Sequence, residues 1–383
     1  MSVNIVLGGD LLISDDEKVT IGDSLIEVFD TSAIRMLNLE GPLIENISNH
    51  KKIFKSGPNI SSINNKTLDI LNSLKINIVS LANNHVMDFG ESALWETIKS
   101  LSKNNIEFVG AGENRNAASN WLIKEINGIL FGFISIAENE WSNSGENTSG
   151  AYPLDIIENY KAITRIKKDV DFLIVSYHGG HEHYNLPSPK MQHVLRFFVD
   201  VGASLVISHH THCVSGYEIY RGVPIFYGLG NFLFTSKSAK SDEWNKGMIV
   251  KASFSKSEKV AFNVIFTNYS KRHRHLSIAE NSEREIRSLQ LQQVNNIICN
   301  PSDLKLRWKA FIRQKENQYL KVLSPVRGIS NRYLRGIIYI TRLHLIFYSK
   351  PYLLELINMI RCESHREIVI EVLKQKLFKQ ADD

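Results

Sequence analysis

The 383-residue chain predicts an α/β layered domain followed by a mainly helical, basic extension. Three observations carry that prediction. Over the first 270 residues, short apolar runs alternate with segments of helical periodicity. Several of those runs end abruptly in glycine, carboxylate, amide or imidazole residues. Beyond about Ser277 the alternation stops, and long helical patterns rich in lysine and arginine replace it.

Strands are expected at Asn4–Leu7, Ala33–Leu37, Ile76–Leu81, Glu107–Val109, Ile129–Ile136, Phe172–Ser176, Leu205–Ile207 and Pro224–Tyr227. Between them, Thr67–Leu74, Ser92–Lys103 and Met191–Val201 place apolar residues at helical spacing, as Leu94, Trp95, Ile98 and Leu101 do in the second. A further β-rich patch, Gly247–Phe254 and Val260–Asn268, can complete a sheet. Helices are then expected at Glu283–Ile298, Asp303–Leu323 and Tyr348–Phe378. The chain is read as two regions, 1–270 and 271–383. Residues 271–383 hold 21 Lys/Arg against 11 Asp/Glu, whereas the first 270 hold 24 against 29. Such asymmetry points to regions with different jobs.

Composition narrows the class. At 43% hydrophobic and 22% charged residues, the chain can bury a sizeable core and is not of disordered type. Cys213, Cys299 and Cys362 fit neither a disulfide framework nor a zinc ribbon and read as reduced thiols. No apolar run is long enough to span a bilayer, and the opening MSVNIVLGGDLLISDD lacks the charge and apolar pattern of a secretion signal. A soluble cytoplasmic protein is the expectation.

The chemistry gathers where the strands end. Asn4–Leu7 runs into Gly8-Gly9-Asp10, and Ala33–Leu37 into Asn38-Leu39-Glu40-Gly41. Ile76–Leu81 leads to Asn83-Asn84-His85 with Asp88 after it. Phe172–Ser176 leads to His178-Gly179-Gly180-His181-Glu182-His183, and Leu205–Ile207 to His209-His210-Thr211-His212. In α/β folds the loops beyond the C-terminal strand ends meet at one rim, where ligands bind. Taken singly, Gly-Asp reads as a turn and Asn-Asn-His as a helix cap. His210 and His212, two apart on an extended segment, face one way and can share an ion. His209, out of phase, packs or hydrogen-bonds locally. His178 directly follows its strand and is the preferred ligand of its cluster, while His181 and His183 line substrate. Imidazoles mixed with Asp and Glu oxygens suit Mn, Zn, Fe or Ni.

The ordered motifs GGD, NLEGPL, LANNHVMDFG, GAGEN, SYHGGHE, ISHHTH and YGLGNF, spanning about Asn4 to Phe234, resemble the bacterial capsule-synthesis (CapA, poly-γ-glutamate biosynthesis) family. That family belongs to the calcineurin-like metallophosphoesterase superfamily. The resemblance implies a four-layer αββα sandwich with one or two divalent transition-metal ions on its loops. Carried over by position, it makes Asp10 and His212 ligands of a first metal and Glu40 a bridge. Asn84, His178 and His210 become ligands of a second. It makes His85 the general acid or transition-state stabiliser, with Asn84 beside it, and leaves Glu182 as a substitute base or extra ligand. Asn38, Tyr227 and Asn231 are expected as rim scaffolding. The superfamily's opening Asp-x-His reads Asp10-Leu11-Leu12 here, so the first metal loses a donor.

Two function classes follow. One is a metallohydrolase cleaving a phosphoester or amide bond in a polymer, glycan precursor or peptide, with a peptide epimerase as a variant of the same site. The other is a non-catalytic assembly factor that binds an anionic chain. The basic region invites contact with an anionic polymer or, through Gly336–Ile357, a membrane surface; nucleic acid is disfavoured because no binding motif accompanies the charge.

Overall fold

The computed structural model describes residues 2–16, 18–235 and 242–361, together with 365, 368–370 and 372–373. The chain divides into two compact units, Met1–Lys305 and Leu306–Asp383.

The first unit is built on two sheets. The larger has nine strands, ordered Thr20–Ile21, His275–Ile278, Ala261–Ser270, Lys246–Phe254, Val3–Leu12, Ile34–Leu39, Ile78–Ser80 and Glu107–Val109, with Asn231–Phe234 also paired to Val3–Leu12. The smaller has six: Tyr217–Tyr220, Val223–Phe226, Leu205–His209, Phe172–His178, Ile129–Ala137 and Leu122–Ile126. The last four strands of the larger sheet's series run parallel, as do the four inner strands of the smaller. Their C-terminal ends therefore share an edge within each sheet.

Side chains alternate across a strand, so a sheet covered on both faces needs an almost continuous apolar run. Ile5 and Leu7 point between the sheets, where they pack with Ile34, Phe131, Phe133, Ile174 and Ile207. Val6, in between, faces outward with Leu37 and Val79 onto Leu25 and Phe29, Ile70 and Leu71, and Leu94 and Leu101. Those pairs come from helices Asp23–Asp30, Asn64–Ser73 and Gly90–Lys103. The smaller sheet's outer face, with Ile134, Leu173 and Val206, is covered by Ile163 and Ile166 of Ile156–Ile166 and by Leu195 and Phe198 of Pro189–Asp200. Helix, sheet, sheet, helix is the four-layer αββα sandwich that the resemblance implied. Ser188 starts the last helix, its Oγ accepting from the Met191 backbone (3.1 Å) with Pro189 in the first turn.

Helix Asn281–Cys299 packs into this unit through Ile298, and its buried Arg287 donates to the carbonyls of Gly247 (2.7 Å) and Thr267 (3.1 Å). The second unit contains the end of helix Pro301–Leu323, then Arg332–Ile340 and Lys350–Arg361. The expected helix Tyr348–Phe378 begins here, and beyond Arg361 it falls largely outside the described residues. Among the described residues no helix is long and apolar enough to cross a membrane. Cys213 and Cys299 are free thiols, and burial pushes Cys213 up to about 12; Cys362 lies outside the described residues.

Two short elements were hidden from periodicity. Asp23–Asp30 is only two turns long, and Asn231–Phe234 reads as part of a glycine-rich loop. The latter brings Asn231 into register with Asp10, opposite Asn38 on the other side. The close approach depends on Gly9. A β-carbon there would fall 1.9 Å from the Gly230 carbonyl oxygen, the same oxygen that accepts from the Asp10 backbone (3.1 Å). Gly9→Ala is expected to cost at least ~1–3 kcal/mol, as overpacking against rigid backbone does. The measurements are chemical denaturation and bound metal, and a variant matching its parent in both would contradict this packing.

Candidate metal centre

The two sets of parallel strand ends deliver one cluster. Asp10 lies within Val3–Leu12 and is completely buried. Its Oδ1 accepts from Asn38 Nδ2 (2.8 Å) and its Oδ2 from the His210 backbone (3.2 Å). Glu40, just past Ile34–Leu39, is equally buried, and neither of its carboxylate oxygens has a hydrogen-bond partner. His212 Nε2 lies 3.5 Å from Glu40 Oε1, and Nδ1 lies 3.6 Å from Asp10 Oδ2. Nδ1 also reaches Asn231 Oδ1 at 2.9 Å. Donating Nδ1–H to that oxygen leaves the Nε2 lone pair aimed at Glu40, the tautomer a metal ligand needs.

A second group adjoins the first. His178 Nε2 sits 3.0 Å from Asn84 Oδ1 and 3.2 Å from His210 Nδ1. Asn38 Nδ2 connects the two groups, lying 3.3 Å from His178 Nδ1 while it donates to Asp10. Asn38 is thus internal, binding both halves together. Asn83 does similar work one loop away. Its Nδ2 donates to the Leu39 carbonyl (2.8 Å) and its Oδ1 accepts from the His85 backbone (3.1 Å), which fixes the Asn-Asn-His turn to the Glu40 loop.

His85 belongs to a third set of contacts. Its Nδ1 lies 2.7 Å from Asp88 Oδ2, and its Nε2 faces Glu40 Oε1 at 3.9 Å. Asp88 also pairs with Lys55, whose Nζ is 3.1 Å from His85 Nδ1, and its Oδ2 accepts from the Ile60 backbone (2.7 Å). The side chains of Lys55 and Asp88 are both buried.

Burial governs the protonation of this cluster. It pushes Asp10 up to about 7, against the hydrogen bonds from Asn38 and His210. It raises Glu40 well above the carboxylate range, helped by repulsion from Asp10. Burial also holds the imidazoles neutral, moving His210 to about 4, His209 and His212 to about 3, and His178 well below its ordinary value. Neutral imidazoles beside Glu40, a carboxylate without a donor, are a poor structural device, because each unpaired buried polar group costs about 1–3 kcal/mol and a charged one more. They suit a cation. Asp10, Glu40 and His212 each offer a donor atom within 4.8 Å of the others, so they could hold a metal ion.

This arrangement has a pH signature. In metal-free protein the folded-state value of Asp10, about 7, lies above its unfolded value near 3.8. The folded state therefore holds the proton more tightly. The resulting stability is fully present below about 3.8 and is lost as pH rises through about 7. The neutral imidazoles act in the opposite sense below about 6.5, because the unfolded state takes up their protons first. The Asp10 contribution is therefore read against Asp10→Asn. In chelator the melting temperature of the parent relative to that variant is expected to fall from pH 5 to pH 8, and the rise that added Mn or Zn gives the parent to grow over the same window. A metal-induced shift independent of pH would contradict the coupling.

Most of the residues expected at the site meet in this cluster. Asp10, Glu40, Asn84, His85, His178, His210 and His212 are buried and connected through the contacts above. Glu182 is exposed, lining a cleft of about 1040 Å³ whose floor includes Glu40, Asn84, His85, His210 and His212. His183 is also exposed, its ring 5.5 Å from Trp244. Tyr227 is buried and pairs with Glu218, on the helix-covered side of the smaller sheet. Leu12 is core, its carbonyl accepting from Thr235 (2.9 Å).

His210 and His212 do not lie on one extended segment, contrary to their expected i, i+2 pairing. The strand ends at His209, and both residues have left-handed backbone, φ +87° and +52°. The kinks aim His210 at His178 and His212 at Asp10 and Glu40. Strained backbone of this kind persists where surrounding structure over-determines it, commonly at functional sites.

Four contributors have no role in the sequence reading: Asn83, described above, and Glu138, Asp88 and Lys55. Glu138 follows Ile129–Ala137, its Oε1 3.5 Å from His210 Nε2, and burial raises it to about 7. The strand-end rule that found the others reaches it too. Asp88 was visible in its motif without a role. Lys55 sits in an irregular loop with no local signal.

The family described as "Bacterial capsule synthesis protein PGA_cap" matches residues 6–236. The chain is 31% identical over 175 residues to "PGA biosynthesis protein CapA" of Bacillus subtilis (strain 168), which covers 45% of this chain and 46% of that one. It is 29% identical over 205 residues to "Capsule biosynthesis protein CapA" of Bacillus anthracis, covering 51% and 49%. A "Probable polyglutamine synthesis accessory protein" of Mycobacterium tuberculosis is 27% identical over 175 residues, covering 42% of this chain and 46% of its own. The chain thus spans about half the length of the curated relatives it matches. Among solved structures, a hypothetical protein from Thermus thermophilus aligns over 69% of this chain and 98% of its own, with a TM-score of 0.43 and 14% identity.

Proposed function

The chain belongs to the bacterial capsule synthesis protein family, and from that premise we propose that it is a metal-dependent hydrolase of a phosphoester or amide bond in a polymer, glycan precursor or peptide. The observation that carries the proposal is Glu40, a buried carboxylate without a protein donor, between the imidazoles of His212 and His85 on the floor of an open cleft. In this reading Asp10, Glu40 and His212 hold a first divalent ion, and Asn84, His178 and His210 offer donors for a second. The mixed nitrogen and oxygen set favours Mn, Zn, Fe or Ni. Bound there, such an ion supplies Lewis acidity to polarise the scissile group and activate water.

The chain's own residues then manage orientation and protons. Asp88 fixes His85 through Nδ1, which leaves Nε2 on the cleft side to give a proton to the leaving atom as the bond breaks. Asn231 sets the tautomer of His212. Glu138, beside His210 Nε2, can hold a proton near neutrality. Glu182, on the exposed side of the cleft, serves as an acceptor for the water's proton. The relatives named for capsule and PGA biosynthesis favour polymer metabolism as the setting.

The cleft lining favours this reading over a binder of an anionic chain. It includes Glu140, Glu182 and Glu243, whereas the ammonium of Lys55 is already paired with Asp88. An extended polyanion would meet like charge at the rim unless divalent ions held by Asp10, Glu40 and His212 offset it, and the hydrolase reading includes those ions whereas metal-free binding does not.

The test is transition-metal content of the purified protein, with phosphodiester and γ-glutamyl substrates assayed for the parent and for His210→Ala. Bound metal and turnover that the variant loses are expected. A protein that purifies without metal and shows no His210-dependent turnover overturns the proposal.

A further inference from the structure

We propose that the unit beginning at Leu306 is a membrane-surface module that lies on anionic phospholipid bilayers; this inference is independent of the hydrolase reading. Two features of the unit coincide. The first is charge: residues 306–361 hold eleven Lys/Arg against two glutamates, and no acidic residue occurs between Glu316 and Glu355. The second is the direction in which its apolar residues face. In helix Arg332–Ile340, Tyr333, Ile337 and Ile340 recur at i, i+4 and i+7, the spacing of one helix face, and they are 70%, 57% and 85% exposed. Arg342, in left-handed backbone (φ +59°), then turns the chain into Leu343–Phe347, which exposes Ile346 to 71% and Leu345 and Phe347 beside it.

Single exposed apolar residues are ordinary, but a contiguous face of them marks an interaction surface. A cation, Arg332, stands beside Tyr333 at the start of that face. The Arg332 guanidinium lies 4.8 Å from the Tyr333 ring centroid and its Nη2 donates to the Tyr333 hydroxyl (2.8 Å). Exposed aliphatic side chains, a tyrosine beside them and a guanidinium on that tyrosine match the depth profile of a bilayer surface, from acyl chains to phosphates. No described helix is long and apolar enough to cross, so the unit lies on the membrane. A nucleic acid would neutralise the cations and leave Ile337, Ile340 and Ile346 in water. A second copy would cover the isoleucines and bring like charge against like charge. An anionic bilayer answers both.

The test uses the full chain in flotation with vesicles of phosphatidylcholine alone and of phosphatidylcholine mixed equally with phosphatidylglycerol. Binding to the anionic vesicles, weakening as salt rises, is expected. Ile340→Glu and Ile346→Glu, both at exposed positions, should each lower partitioning about tenfold or more. Arg332→Gln should lower it about fivefold on anionic vesicles only. Circular dichroism and thermal melting establish that the variants fold. Absence of flotation, equal flotation on neutral vesicles, or unchanged binding by both glutamate variants overturns the proposal. So does a preference for an RNA homopolymer over vesicles, or a dimer that Ile340→Glu dissociates.

Discussion

Glu40→Gln is expected to lose metal and turnover together while leaving the metal-free protein at least as stable as its parent at pH 8. The two halves have one cause. Glu40 is completely buried, neither oxygen is hydrogen-bonded, and Asp10 stands beside it. Without a cation, that carboxylate is either protonated against the solvent or charged without a partner, and both states oppose folding. Glutamine keeps the shape and removes the charge. With a cation the balance inverts, because the anionic ligand attracting the ion is gone. Loss of outer-sphere partners costs about 10–100-fold in metal affinity, so loss of this ligand should cost at least about 100-fold. Melting in chelator and with added Mn or Zn, beside metal analysis, separates the cases. A variant that melts well below its parent in chelator, or that still gains the parent's full increment from metal, contradicts this account of Glu40.

His85→Ala is expected to lower kcat by ~10²–10⁴-fold, the usual contribution of a positioned general acid, with metal content preserved. The imidazole reaches the cleft through Nε2, 3.9 Å from Glu40, and its other nitrogen is held by Asp88. Its removal leaves Asp88 paired with Lys55 and accepting from the Ile60 backbone, so the buried carboxylate is not orphaned and the fold should survive. A substrate with an activated leaving group, which needs little protonation, should suffer less than an unactivated one. Equal losses on both would argue against a proton donor, and concurrent loss of metal would make His85 a ligand.

Much of the candidate site was legible because local sequence already shows where strands end. An apolar run buried on both faces must stop where polar residues begin, so Glu40, Asn84, His178 and His210 announced themselves at the stops, whereas Gly8-Gly9-Asp10 marks an irregularity inside a strand that runs on to Leu12. Glu138 obeys the same rule, but its run closes on Glu138-Asn139-Glu140 without histidine or glycine, a pattern that exposed loops share. Lys55 had no such marker. Its partners, His85 and Asp88, are some 30 residues further along the chain.

By itself, the sequence determined the alternation of strands and helices, the order of the polar strand ends, the family those motifs belong to, and the charge division of the chain. Only the tertiary structure decided which groups meet. Glu40 faces His212 across 172 positions of sequence and Asn231 pairs with that same histidine, because strands distant in the chain are neighbours in the sheets. It likewise decided that Asn38 lies inside the cluster and that Ile337 and Ile340 are exposed. Periodicity gives a helix an apolar side, but where that side points depends on what else the chain packs against it. Hydrogen bonding and burial of that kind are properties of neighbours in space, which the order of residues fixes only once the chain has folded.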